Sequence, residues 1–268
     1  MRRICLLTLF IIVSIQGYSQ STKSAQITGG FEVDISERPF QISLQNDDGH
    51  FCGGSIINNR WILTATHCMF DRFGAELEPE DIQIAIGIST QDQVGIEGQL
   101  IDVASIIVHP DYDAAANNND IALLELEDDI IFNENSQPIR IMNDDNLDLI
   151  EPDFDVFASG WGCTNPGESS ASEQLMGVEV FIISNEDADE MLDISSPRHP
   201  ELTDNMISSG YDGTEREGPC HGDSGGPLTA ENHDGINYLI GAVSWGVPSC
   251  IGDENSPTVY TNILNYET

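Results

Sequence analysis

Residues 222–227 have the sequence Gly222-Asp223-Ser224-Gly225-Gly226-Pro227, and Cys220 lies two residues before this run. A serine hydroxyl is a poor nucleophile at neutral pH, so it needs a base within hydrogen-bond reach and N–H donors for the oxyanion that forms on the substrate. Glycines beside a serine allow a tight backbone turn that presents such donors. Because most glycine-rich turns with a serine are only turns, the run predicts a nucleophile only in combination with other residues.

Two earlier stretches offer those other residues. An apolar run over residues 61–68 ends in His67 and Cys68, and residues 119–124 place Asp120 at the start of another apolar run. A lone histidine is usually structural, although a pKa of about 6.5 suits it to general-base work. Most acids at the start of a strand only cap turns. The chemistry is therefore indicated by the three stretches together.

Taken together, these stretches resemble the motifs of the chymotrypsin/trypsin family of serine peptidases, and the resemblance runs from Ile27 to about Tyr266. The order His, Asp, Ser separates this family from subtilisins and α/β-hydrolases, which carry the same residue types in other orders. Smaller landmarks of the family also occur in order: Ile27-Thr28-Gly29-Gly30, Cys52-Gly53-Gly54-Ser55, Ser159-Gly160-Trp161-Gly162, Ser244-Trp245-Gly246 and Pro257-Thr258-Val259-Tyr260.

The resemblance implies an all-β fold, with two six-stranded antiparallel Greek-key β-barrels and the active site in the cleft between them. The sequence agrees, because short apolar runs broken by Gly, Pro, Asn and Asp predict many strands. Helical periodicity is scarce, and we expect only a short turn after His67 and a helix near residues 185–192. The turn-rich stretch 143–153 predicts the link between barrels of about 27–145 and 146–268.

The resemblance also implies a catalytic mechanism. His67 takes the proton of Ser224 as the serine attacks a peptide carbonyl, and later gives it to the leaving amine. Asp120 holds the imidazole in the useful tautomer, and Ser244 matches the position that hydrogen-bonds to this aspartate. The backbone N–H groups of Gly222 and Ser224 form the oxyanion hole.

The substrate-binding residues that the resemblance implies are Gly218, Ser244, Trp245, Gly246 and Thr258. Trypsins carry an aspartate six residues before the nucleophile, whereas Gly218 stands there and has nothing to pair with a buried Lys or Arg. Gly246 leaves the pocket entrance open, and Thr258 resembles the narrowing threonine of elastases. We therefore expect cleavage after small to medium apolar residues, although Glu217 and Asp253 could still reach a cation.

The N-terminus predicts export. Arg2-Arg3, the apolar run Ile4–Ile15 and Gly17-Tyr18-Ser19 are typical of a signal peptide over residues 1–19, followed by a short propeptide over 20–26. The apolar run is shorter than the about 20 residues of a membrane-spanning helix, so we expect no membrane association after signal removal. The mature protein is therefore predicted to be secreted and extracellular.

The cysteines fit an exported protein. Because Cys5 leaves with the signal peptide, the mature chain keeps an odd number and can form at most two disulfides: Cys52, Cys68, Cys163, Cys220 and Cys250. No CxxC pair supports a zinc site. The resemblance pairs Cys52 with Cys68 and Cys220 with Cys250, which leaves Cys163 unpaired.

Activation is expected to be unusual. Family members are usually released by cleavage after Arg or Lys, but here Gln26 precedes Ile27. The new ammonium of Ile27 should pair with the buried carboxylate of Asp223 and order the oxyanion hole, because a buried charge needs a partner. We expect either a peptidase without basic specificity or the enzyme itself to make this cut.

Charge limits the partners. The chain has 46 acidic and 9 basic residues, a net charge of −37, which argues against nucleic acid as a ligand. The acids are spread along the chain, which favours a role in solubility over steering of cationic substrates. We expect protein or peptide substrates, a monomer, and no cofactor or metal, since the calcium loop of trypsins is not matched around residues 87–97.

Two other functions compete with the peptidase hypothesis. A catalytically inactive homologue would act as a binding module, but all three residues of the implied triad are retained. Thr66, where the family usually has alanine beside the histidine, is the one unusual neighbour. A general esterase is a weaker alternative, because it would not need the pair of Ile27 and Asp223.

Overall fold

The computed structural model describes residues 30–163, 170–210, 218–247 and 256–266. The predicted signal peptide, the propeptide and Ile27 lie outside these ranges, as do Glu217, Cys250 and Asp253. The described strands are β1 (Phe31–Glu32), β2 (Gln41–Asn46), β3 (Gly49–Ile56), β4 (Trp61–Thr64), β5 (Gln83–Ile86), β6 (Gln99–Val108), β7 (Ala122–Leu126), β8 (Arg140–Ile141), β9 (Asp155–Gly160), β10 (Met176–Ile183), β11 (Met206–Gly210), β12 (Pro227–Glu231), β13 (Asn237–Gly246) and β14 (Thr258–Asn262).

The first barrel closes in the order β2-β3-β4-β7-β6-β5, and all its strand pairs are antiparallel. Its interior is filled by alternating aliphatic residues, because side chains of one strand point alternately to the two faces of a sheet. Ile42 lies opposite Ile86 and Leu44 opposite Ile84, and all four side chains are fully buried. These cross-strand pairs fix the register of β2 against β5.

The second barrel is formed by β9, β10, β11, β14, β13 and β12, with β12 pairing back onto β9. Its core includes Val156, Val178, Leu228 and Tyr260. Two short strands from the first half of the chain extend this sheet: β1 pairs with β10, and β8 pairs in parallel with β13. The prediction of an all-β double barrel is confirmed.

Helices are few in the described part of the chain. Helix α1 (Asn185–Ser195) begins after Ser184, whose side chain accepts a hydrogen bond from the N–H of Asp187, a typical N-cap. Short 3₁₀ turns cover Ile35–Glu37, Thr66–Met69, Pro79–Asp81, Gln91–Gln93, Asp144–Ile150 and Ile263–Tyr266. Within these ranges no helix is long and apolar enough to cross a membrane.

One disulfide agrees with the sequence prediction and the other does not. Cys52 and Cys68 are bridged, which ties β3 to the turn that carries His67. Cys220 is bonded to Cys163, so the predicted pairing of Cys220 with Cys250 is wrong for this structure. The physical reason is proximity: the N–H of Cys163 donates to the carbonyl of His221 at 2.7 Å, which holds the two loops side by side.

Candidate active site

His67 and Asp120 lie close together because β4 ends where its antiparallel partner β7 begins. Strand β4 runs into the turn that carries His67, and β7 begins two residues after Asp120, with Thr64 opposite Ala122. The backbone N–H of His67 donates to Oδ1 of Asp120 at 2.8 Å, and Nδ1 lies 2.7 Å from Oδ2. Since a carboxylate only accepts, Nδ1 carries the hydrogen and Nε2 is left able to take a proton.

Further hydroxyl groups fix Asp120, which is completely buried. Ser244 donates from Oγ to Oδ2 of the aspartate at 2.6 Å, and Thr261 donates from Oγ1 to the aspartate's backbone carbonyl at 2.7 Å. Both residues belong to the second barrel, so the acid is held by groups from both sides of the interface. A buried carboxylate needs such partners, because its isolated charge would be costly away from water.

Burial and the charge of Asp120 both shift the pKa values of neighbouring side chains. Burial lowers the pKa of His67, but the attraction of Asp120 and its hydrogen bond outweigh this effect and raise the pKa above its ordinary value. Burial, with a smaller contribution from Asp120, raises the pKa of Tyr266 to about 12 and raises that of Tyr112 as well. The field at this position therefore favours a protonated imidazole.

Ser224 lies in a tight turn that is pressed against the first barrel. Gly222 and Gly225 have φ angles of +96° and +73°, a region that side-chain-bearing residues rarely occupy. A Cβ at Gly225 would also collide with Oγ1 of Thr64. The carbonyl of Ser224 accepts a hydrogen bond from the N–H of Gly53 at 2.8 Å, so β3 helps to fix the position of the turn.

His50 holds the same turn and was missed by the sequence analysis. Its Nε2 donates to the carbonyl of Gly222 at 2.9 Å, and its Nδ1 accepts from Oγ of Ser43 at 2.6 Å. Burial lowers the pKa of His50 to about 4, so the ring is neutral under ordinary conditions. Its partner Gly222 is 172 residues away along the chain, so no local sequence motif predicts this contact.

The side chain of Asp223 lies against the two glycines that flank Trp161. Its carboxylate is buried and accepts from the N–H of Gly162 at 2.8 Å and from the N–H of Cys220 at 2.9 Å. Any Cβ at Gly160 or Gly162 would collide with this carboxylate, which explains the glycines on both sides of Trp161. Its predicted partner Ile27 lies outside the described residues.

A cavity of about 300 Å³ opens beside Ser224. Among its lining residues are Ser244, Trp245, Gly246 and Thr258. Gly246 lies directly opposite Thr258 in the pairing of β13 with β14. The residue paired with Thr258 on the neighbouring strand therefore has no side chain. Gly218 is close by, because a Cβ built on it would lie 3.3 Å from Oγ1 of Thr258.

Metal ligation has little support in the described part of the chain. The one cluster of suitable side chains there is formed by Cys52, His67 and Cys68. Both sulfur atoms belong to the disulfide, and the Nδ1 of His67 is engaged by Asp120. These atoms are therefore not free to act as ligands.

The fold and site together define a serine peptidase of the double-barrel class, and comparison with known proteins agrees. The family model described as Trypsin matches residues 27–268. Trypsin 5G1 of Aedes aegypti is 38% identical over 245 residues, which cover 90% of this chain and 82% of the relative. The chain belongs to the trypsin family and is a serine endopeptidase.

Proposed function

We propose that Ser224 is the nucleophile, His67 the general base and Asp120 the residue that orients the base. The observation that carries this assignment is the pairing of Nδ1 of His67 with the buried Asp120 at 2.7 Å, close to a cavity that Ser224 lines. The fixed tautomer leaves Nε2 as the one ring atom able to accept the serine proton. In this assignment His67 would serve as the base for Ser224, and Asp120 would orient His67, as nucleophilic catalysis requires.

Acyl transfer would proceed in two stages. In the first, Oγ of Ser224 bonds to the substrate carbonyl carbon, the peptide C–N bond breaks, and the proton passes through His67 to the leaving amine. In the second, water attacks the acyl carbon with the same histidine as base, the ester bond to Oγ of Ser224 breaks, and the proton returns from His67 to that oxygen. The N–H groups of Gly222 and Ser224 would stabilise the oxyanion, and the contact of His50 with the carbonyl of Gly222 supports their orientation.

The pH dependence of this enzyme is expected to follow the raised pKa of His67. Only the neutral imidazole can take the proton of Ser224, so kcat/KM should fall as the pH drops through that pKa. Because Asp120 raises the pKa, the acid limb for an uncharged peptide substrate should lie above about 6.5. Steady-state rates from pH 5 to pH 9 check this, with the Asp120→Asn variant for comparison. An acid limb below the ordinary histidine value would contradict the assignment.

We further propose cleavage after small to medium apolar residues such as Ala, Val, Leu and Met. Gly218 contributes no carboxylate to the cavity, and the side chain of Thr258 narrows it next to Gly246. A buried Lys or Arg of the substrate would lack a counter-charge at Gly218. The name Trypsin 5G1 belongs to the relative, and it does not indicate tryptic specificity for this chain, which has glycine at position 218.

Replacing Thr258 by glycine tests this pocket. Removal of the threonine side chain should enlarge the cavity and raise kcat/KM for Phe and Tyr at the cleavage site about 10- to 100-fold relative to Ala. The readout is a peptide library digested by both proteins, with the absolute rate on an Ala substrate as internal control for folding. A dominant preference for Arg or Lys in the parent protein would refute the proposed specificity.

The proposed setting is extracellular. The signal-like N-terminus, the disulfides and the acid excess all suit an exported peptidase that acts as a monomer on proteins or peptides. Its maturation would need an activating peptidase without basic specificity, or cleavage by the enzyme itself. Secretion of the full-length chain from a eukaryotic host, with loss of residues 1–19, would support this location.

A further inference from the structure

Thr66 immediately precedes His67, and its side chain is completely buried. Its Oγ1 donates a hydrogen bond of 2.6 Å to the backbone carbonyl of Ile121, which immediately follows Asp120. One short bond therefore ties the residue before the histidine to the residue after the aspartate, across 55 positions of sequence. The catalytic steps proposed above do not involve this hydroxyl.

The segment that Thr66 holds is irregular. Asn119 has a φ of +56°, and the N–H of Ile121 turns back to the carbonyl of Asn119 at 2.9 Å. Strand β7 begins only at Ala122, so the regular strand ladder does not fix the position of Asp120. Hydrogen bonds from neighbouring elements must fix it instead.

Hydroxyl groups from the two barrels donate hydrogen bonds to consecutive backbone carbonyls of this segment. Thr261 of β14 donates to the carbonyl of Asp120 at 2.7 Å, and Thr66 donates to the carbonyl of Ile121. The latter carbonyl also accepts a longer bond of 3.2 Å from the N–H of His109. The backbone that directly follows the Asp120 side chain is thus held at two successive carbonyls, and the His109 bond can keep the segment folded if the threonine hydroxyl is removed.

We propose that Thr66 is a positioning residue for catalysis, whose hydroxyl keeps the carboxylate of Asp120 in register with the imidazole of His67. It acts through Asp120 and does not touch the substrate. This inference rests on the proposed roles of His67, Asp120 and Ser224. Its consequence is that loss of the hydroxyl should affect the chemical step and leave substrate binding unchanged.

Thr66→Val removes the hydroxyl while keeping a branched side chain of similar shape. We expect kcat to fall about 10-fold or more, KM to stay within about twofold, and the acid limb of kcat/KM to move to lower pH. The acid limb should move because a loosened Asp120 attracts the protonated imidazole less. Thr66→Ser keeps the hydroxyl and should retain kcat within about twofold.

Thr229→Val is the matched control, because Thr229 is also buried and donates from Oγ1 to a backbone carbonyl, that of Phe157 at 3.2 Å, away from His67 and Asp120. Each kcat is normalised to active sites titrated with a sulfonyl fluoride, so that misfolded molecules are not counted. A Thr66→Val kcat equal to that of Thr229→Val, or an equal loss in Thr66→Ser, would overturn the inference. If the parent protein itself fails to react with the reagent, the proposed function fails instead.

Discussion

Replacing Ser224 by alanine is expected to lower kcat for a peptide substrate about 10⁵- to 10⁶-fold. The alanine cannot form the acyl-enzyme, and the residual rate would come only from the oxyanion donors and substrate binding. KM should change little, since the turn that carries residue 224 is held by backbone bonds such as that from Gly53. Ser170→Ala is a suitable control, because Ser170 is exposed and does not line the cavity beside Ser224.

Covalent labelling separates this expectation from the hypothesis of an inactive binding module. An organophosphorus or sulfonyl fluoride reagent should label the parent protein once per molecule, and mass spectrometry should place the label on Ser224. The label should be absent from Ser224→Ala and formed much more slowly in His67→Ala. In peptide hydrolysis, kcat of the double variant Ser224→Ala/His67→Ala should be no lower than that of either single variant, because groups that act as a unit show non-additive losses. A folded parent protein that resists the reagent would favour the binding module.

Motifs close together in sequence predicted much of this fold and site. The stretches around His67, Asp120 and Ser224 each end or begin a strand, so local apolar patterns predicted a β-rich chain. The order of the three motifs gave the resemblance to the chymotrypsin/trypsin family, and that resemblance implied the double barrel. The position of Thr258 in the wall of the cavity beside Ser224 could be inferred from the same resemblance, since it depends on one residue within a short motif.

Contacts between distant parts of the chain could not be predicted in this way. Cys163 and Cys220 are 57 residues apart, and their pairing depends on how two loops lie against each other. The additions of β1 and β8 to the second sheet are likewise long-range pairings that no local pattern specifies. A residue such as His50 acts only through a backbone carbonyl, which leaves no chemical signature in the sequence.

Maturation is expected to have a large effect on activity, although a smaller one than loss of the nucleophile. Protein that begins at Ile27 should hydrolyse peptides about 10²- to 10³-fold faster than protein that begins at Gln20, because a partner for a buried carboxylate is typically worth about 3–5 kcal/mol. The carboxylate concerned is that of Asp223, which already receives the N–H groups of Gly162 and Cys220. An ammonium placed beside it would hold the neighbouring turn, and with it the N–H of Gly222, in the conformation that binds the oxyanion.

Asp223→Asn in the protein that begins at Ile27 provides the decisive comparison. The amide keeps the size of the side chain but removes the charge, so this variant should be about as slow as the precursor, whereas the exposed Asp234→Asn should be unaffected. N-terminal sequencing of active material from the full-length chain should return Ile-Thr-Gly-Gly. An active form that still carries Gln26 would contradict the mechanism, because its amino group would not be the one that Asp223 is proposed to bind. Equal rates for the two starting points would do the same, and would mean that the hydrogen bonds of Asp223 and His50 alone are sufficient to order the oxyanion hole.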